Sequence, residues 1–202
     1  MKTAVLVWAW ACLLAPSAAE VESPRAARYA IDPLRSAISW ELPATLHTVR
    51  GTAPEFSGSI ELETGPGGEH IVRGRVSVRA AAMKTGNESR DEKMREKVLE
   101  VDRYPEIVFD LDAVEADWSK LAGGSAFDAK VSGRLTVHGT ALALQVSVSV
   151  EPSAEGITLS GSFPLRWKSY GLSDPSFGFV TVREPMKVVF RLRAVPSETP
   201  PK

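Results

Sequence analysis

Cysteine is nearly absent. The 202-residue chain has one, Cys12, inside its apolar opening segment. The remainder therefore has no disulfide, no thiolate nucleophile and no cysteine metal ligand, and core burial must hold it together. An excess of charge of one sign is also missing: 24 Lys and Arg face 25 Asp and Glu, a formal net charge of −1. Without a basic field, nucleic acid is not an expected partner. Past Ala15 no apolar run is long enough to cross a bilayer as a helix. Catalytic signatures are lacking: there is no Gly-x-Ser-x-Gly elbow, no His-Glu-x-x-His and no phosphate loop. Gly65-Pro66-Gly67-Gly68 reads as a turn, because no helix follows it. His47, His70 and His138 share no ligand spacing, so no metal, cofactor or catalytic residue is assigned.

The chain opens on an export signal. Lys2 begins it, "AVLVWAWACLLA" follows, and "PSAAE" offers small residues for cleavage after Ala19. An uncut N-terminal anchor is the rival reading. Residues 20–27 and 196–202 are polar and Pro-containing and read as disordered tails around one domain, residues 28–195.

Within that domain apolar and polar residues alternate, the mark of strands with one dry face. Ile38 and Trp40 lie on one parity of "AISWEL"; Phe56, Ile60 and Leu62 do so in "FSGSIELE", and Val76 and Val78 in "IVRGRVSVRA". The same holds for Ile107, Phe109 and Leu111, and for Val131 and Leu135. In "ALALQVSVSV" the dry parity carries Leu144, Val146 and Val148. Leu159, Phe163, Leu165 and Trp167 share a parity in the next segment, and Val188 and Phe190 in the last. With a short strand at 28–32, eight or nine strands are predicted. Gly58, Gly133 and Gly161 interrupt strand patterns, which points to bulges or strong coiling.

One short helix is predicted at "SRDEKMREKVLEV". Ser89 and Glu92 have the spacing of a capping box, and Asp91 and Arg95 that of a supportive pair.

A sheet with every dry face on one side must become a sandwich or close into a barrel. The long strands and the glycines favour an all-β, antiparallel, eight-stranded barrel with one short helix. Such a barrel either fills itself with side chains or holds one slender ligand, and composition leaves both open. In the second case the residues named above line the lumen. Arg90 and Lys93 from the helix, and Tyr170, Phe177 and Phe179 from the Gly- and Pro-containing loop "RWKSYGLSDPSFGFV", are the expected mouth.

Four segments resemble the YceI-like, polyisoprenoid-binding family. They are "YAIDPLRSAISWEL" at 29–42, "GTAPEFSGSIEL" at 51–62, "RDEKMREKVLEVDRYPEIVF" at 90–109 and "VSGRLTVHGTALAL" at 131–144. The resemblance runs from about residue 29 to 194, in the family's order. Departures fall at Lys93, where the family usually has His, at Val98-Leu99 in place of an aromatic pair, and at Thr140-Ala141. The resemblance implies a lipocalin-like extended barrel, a long apolar lipid of isoprenoid type as partner, export to the periplasm, and a homodimer. The expected function is non-enzymatic binding, sequestration or transport of that lipid, with transient membrane contact. The alternatives are a packed barrel serving as an interaction module and, more remotely, an enzyme on amphiphilic substrates.

Overall fold

A computed structural model describes residues 25–65, 67–176 and 180–197. The expected signal at 1–19, most of both tails, and Phe177 and Phe179 lie outside the described residues. The strands are β1 (Arg25–Pro43), β2 (Thr48–Thr52), β3 (Phe56–Thr64), β4 (His70–Arg79), β5 (Glu106–Ala116), β6 (Phe127–Val137), β7 (Thr140–Ser153), β8 (Gly156–Leu165) and β9 (Met186–Pro196). All neighbours pair antiparallel, in the order β2-β1-β3-β4-β5-β6-β7-β8-β9, and β1 also pairs with β9. The sheet thus closes into an eight-stranded barrel, with β2 as a flap on the second half of β1.

β1 is where sequence and structure differ most. The segments expected as two strands form one of 19 residues. It starts at Arg25, so Arg25–Ala27 pair with Leu62–Thr64 where a tail was expected. A bulge between Asp32 and Ala37 joins the halves. There Asp32 accepts from the backbone N–H of Leu34 (2.9 Å) and from Arg35 Nε (2.7 Å). The Arg35 guanidinium holds the Asp32 carboxyl below its ordinary range. Ser36 donates to the Asp32 carbonyl and accepts from the backbone N–H of Arg193, which fastens the bulge to β9.

The dry parity faces inward along the strands, apart from the far half of β5. On the wet parity, acidic and basic residues pair across strands: Arg28 with Glu61 at 3.0 Å, Arg73 with Glu63 at 3.2 Å, Arg75 with Asp110 at 2.8 Å. With an exposed arginine and a half-buried carboxylate, each contributes only about 0.2–1 kcal/mol, and together they favour the register.

One end of the barrel, here the turn end, carries the tight turns Gly65–Glu69 and Ser153–Gly156. It also carries α2 (Trp118–Ala122), a single turn not expected from sequence and capped by the Asp117 carboxylate. The opposite end, the helix end, carries the β1–β2 hairpin, residues 80–105, and residues 166–176 and 180–185. In the first of these segments α1 (Glu88–Lys93) continues as a π-helical turn over Met94–Val98. The predicted cap is displaced by two residues. Asn87, not Ser89, caps α1, accepting from the backbone N–H of Arg90 at 3.0 Å. Gly86, at φ 78°, turns the chain so that Asn87 arrives first, and Asn caps as well as Ser does. The expected pair is replaced as well. Arg95 bonds Glu88 at 2.8 Å, while buried Asp91 accepts from the backbone N–H (2.8 Å) and Oγ1 of Thr85.

Candidate functional site: an apolar lumen

The barrel is hollow. A cavity of about 300 Å³ runs inside it, walled almost wholly by apolar side chains. At the helix end Trp40, Val78, Met83, Leu99, Leu165 and Met186 border it. The middle is walled by Ile38, Ile60, Val76, Phe109, Leu135 and Phe190. At the turn end the wall is Leu62, Val72, Val114, Trp118, Leu121 and Phe127. Among the described residues no large side chain falls below 2 % exposure. A filled core of this size would bury several completely. Here the inward side chains keep one accessible face, on the void.

Glycines keep the space open. Phe109 lies over Gly133, where an added Cβ would come within 2.6 Å of Cζ, and Phe190 lies over Gly161. Both rings thus lie along the wall instead of across the lumen.

All the residues predicted for the lumen border the cavity except Phe56 and Trp167, which are buried in the apolar packing at the helix end. Val72, Phe127, Val150 and Leu192, on the dry parity of their strands, also line it, as do Trp118 and Leu121 on α2, to which no strand period points. Val114 was hidden for a clear reason. A register shift between Leu111 and Ala113 turns the parity of β5, so that Val114 rather than Ala113 faces inward.

Of the expected mouth residues, Phe177 and Phe179 lie outside the described residues, and Arg90, Lys93 and Tyr170 do not border the cavity. Arg90 folds back on the loop before α1, donating to Thr85 Oγ1 (2.7 Å) and to its carbonyl (3.2 Å), and does not border the cavity. Its geometry is that of a structural tie: Asp91 and Arg90 grip Thr85 from both sides. Lys93 is exposed on α1 and away from the cavity. Tyr170 is buried, and burial pushes its phenol above the ordinary range. It lines a separate outer groove with Leu142, Leu144, Phe163, Leu165 and Arg166.

The histidines stand apart. His47 is exposed. His70 bonds Thr64 Oγ1 through Nδ1 (3.0 Å) and meets the Trp118 ring. His138 packs on Tyr104, with its Nε2 3.3 Å from Glu100 Oε1 but not aligned for a hydrogen bond. Among the described residues no three His, Cys, Asp or Glu side chains gather as a metal site, and no helix is long and apolar enough to cross a membrane.

The geometry defines a class: closed antiparallel β-barrels with an apolar interior cavity. The YceI-like domain model matches residues 29–194, so the chain belongs to that family. Solved structures agree on the fold. The crystal structure of Burkholderia cenocepacia BcnA superposes with a TM-score of 0.64 at 20% identity, over 80% of this chain and 98% of that one. A polyisoprenoid binding domain from Saccharophagus degradans, implicated in plant cell wall breakdown, gives 0.64 at 18% identity, over 84% and 98%. A Campylobacter jejuni YCEI protein gives 0.54 at 16%, over 77% and 88%. Among curated proteins none matches the sequence significantly.

Proposed function

We propose that this protein binds the apolar chain of a long lipid, of isoprenoid type, in its lumen and carries or sequesters it without chemistry. The observation that carries this reading is the cavity of about 300 Å³ with an apolar wall, at the lower end of the usual range for ligand pockets. The Saccharophagus domain, which shares the fold, is named for binding polyisoprenoids.

The energetics suit a carrier. Each buried CH₂ contributes roughly 0.8 kcal/mol relative to water, so one isoprene unit contributes at most about 4 kcal/mol before the cost of ordering it. Relative to a bilayer the gain is near zero, because acyl tails are already apolar. A barrel of this kind can take a lipid from a membrane and return it by mass action. The hollow counts against the filled-barrel interaction module. Among the described residues the almost wholly apolar lumen wall and the scattered histidines favour binding over catalysis. Export to the periplasm through residues 1–19, transient membrane contact and a homodimer belong to the same proposal.

Native mass spectrometry of the protein purified from its own host tests it. A mass increment that solvent extraction removes as lipid is the expected result. A guest-free protein that also takes up no fluorescent lipid would refute it.

A further inference from the structure

The barrel wall is not sealed. Pairing of β7 with β8 runs from Ser153↔Gly156 only as far as Val148↔Gly161. Both strands continue beyond that point toward the helix end. Each stays bonded to its other neighbour, β7 to β6 as far as Thr140 and β8 to β9 as far as Leu165. Among the described residues nothing pairs Thr140–Ser147 with Ser162–Leu165. The wall therefore splits, and two strand edges inside a closed barrel face a gap, the kind of exposure that barrel closure otherwise removes. Pro164 sits on one edge, and a strand proline is at home where ladder bonding is incomplete.

A groove of about 340 Å³ occupies the split. Leu144, Phe163 and Leu165 line both this groove and the lumen. They form a throat with the lumen on one side and the outer groove on the other. The outer side is different in character: Arg166, Ser169 and Tyr170 stand there on the segment that begins the 3-10 turn Trp167–Tyr170. Arg166 and Ser169 are exposed, and Tyr170 keeps its phenol neutral at ordinary pH. The groove thus offers one cation and two hydroxyls at the end of an apolar passage. The exposed side chain of Leu46 is also at this end of the barrel.

We infer that the β7–β8 split is a lateral portal, through which a single-chain amphiphile enters tail first, its anionic head remaining in the groove with Arg166, Ser169 and Tyr170. This rests on the carrier reading and specifies its route and the chemistry of its head group. The tail passes Leu144 and Phe163 into the lumen without leaving apolar surroundings. The head keeps its hydration and meets a guanidinium rather than a dry wall, which avoids burying an unpaired charge.

Cross-bridging the split tests this. Continuing the register past Val148↔Gly161 sets Gln145 opposite Pro164, both exposed. The Gln145→Cys/Pro164→Cys protein, bridged by a cleavable bis-maleimide, is compared with itself after cleavage, using stopped-flow uptake of cis-parinaric acid. Uptake and release at least tenfold slower when bridged, restored on cleavage, is the expected result. Ala143→Trp, which places an indole in the groove, gives the same slowing without a bridge. Unchanged rates in both, with binding intact, overturn the portal while leaving the carrier reading standing. If the unbridged protein takes up no lipid at all, the carrier reading falls and the portal with it. For the head, Arg166→Gln is expected to weaken binding of a fatty acid fivefold or more while leaving the fatty alcohol of equal length unchanged; equal losses for both overturn the anionic head.

Discussion

The ring of Phe190 lies directly over Gly161, its cross-strand partner: a Cβ built on that glycine would come within 2.8 Å of Phe190 Cζ and 2.9 Å of the Ser147 carbonyl. The absence of one side chain lets a large ring lie along the wall. The lumen beside it stays open for the same reason.

Gly161→Val should therefore do two things at once. The new branch meets a ring that can swing and a backbone carbonyl that cannot, so overpacking costs about 1–3 kcal/mol. The swinging ring has only the lumen to enter. The expected outcome is a lower urea midpoint together with a weaker affinity for long-chain lipid. A variant that is destabilised but binds normally would show that the ring moves along the wall instead.

Filling the lumen directly separates capacity from stability. Val131 borders the cavity on β6, and Lys130 beside it points outward. Val131→Trp should abolish or reduce lipid uptake at least tenfold while keeping a cooperative unfolding transition, and Lys130→Trp should leave uptake unchanged. Fluorescent-lipid titration of the two variants checks this.

The strand parity of the sequence located most of this wall, because a closed antiparallel barrel has one inside and period-2 alternation reports it. What escaped was what the period cannot express. The register shift after Leu111 turned Val114 inward. Phe56 and Trp167 have the right parity but sit past the cavity's end, and parity does not say where a lumen stops. Arg90 reads as a free cation on a helix, yet Thr85, five residues back, claims both its bonds. The β7–β8 split left only Pro164 as a trace, since loss of pairing between two alternating strands leaves their alternation intact.

The corrected helix cap is open to a direct check. Asn87 holds the N–H of Arg90, whereas Ser89 is exposed within the first turn. Asn87→Ala should cost about 1 kcal/mol and Ser89→Ala close to nothing. Thermal denaturation of the two variants decides between the caps, the reverse order supporting Ser89.

Asp91 carries a larger share. It is 3 % exposed and accepts from both the backbone N–H and the hydroxyl of Thr85. Asp91→Ala leaves that part-buried N–H without its acceptor, a loss of about 1 kcal/mol or more. For a domain of this size, the melting temperature falls by about 2–4 °C for each kcal/mol lost. A shift below 1 °C would mean that water replaces the carboxylate freely and that the Thr85 tie is incidental.

Tyr170 gives the groove a signature at alkaline pH. Burial raises its phenol above the ordinary range, so the fold favours the neutral form. The sign follows from linkage. The contribution is fully present below the unfolded-state value, about 10, and is lost as pH rises from there through the raised folded value. Tyr170→Phe cannot ionise and keeps the same ring. Between about pH 9 and 11 the wild type should lose stability more steeply than Tyr170→Phe, while near pH 7 the two should nearly coincide. Other tyrosines and lysines titrate in this range, but they do so equally in both proteins, so the difference isolates position 170. Urea midpoints taken at half-unit steps give the two curves. Parallel curves would place the phenol in water and open the outer groove wider than the structure has it.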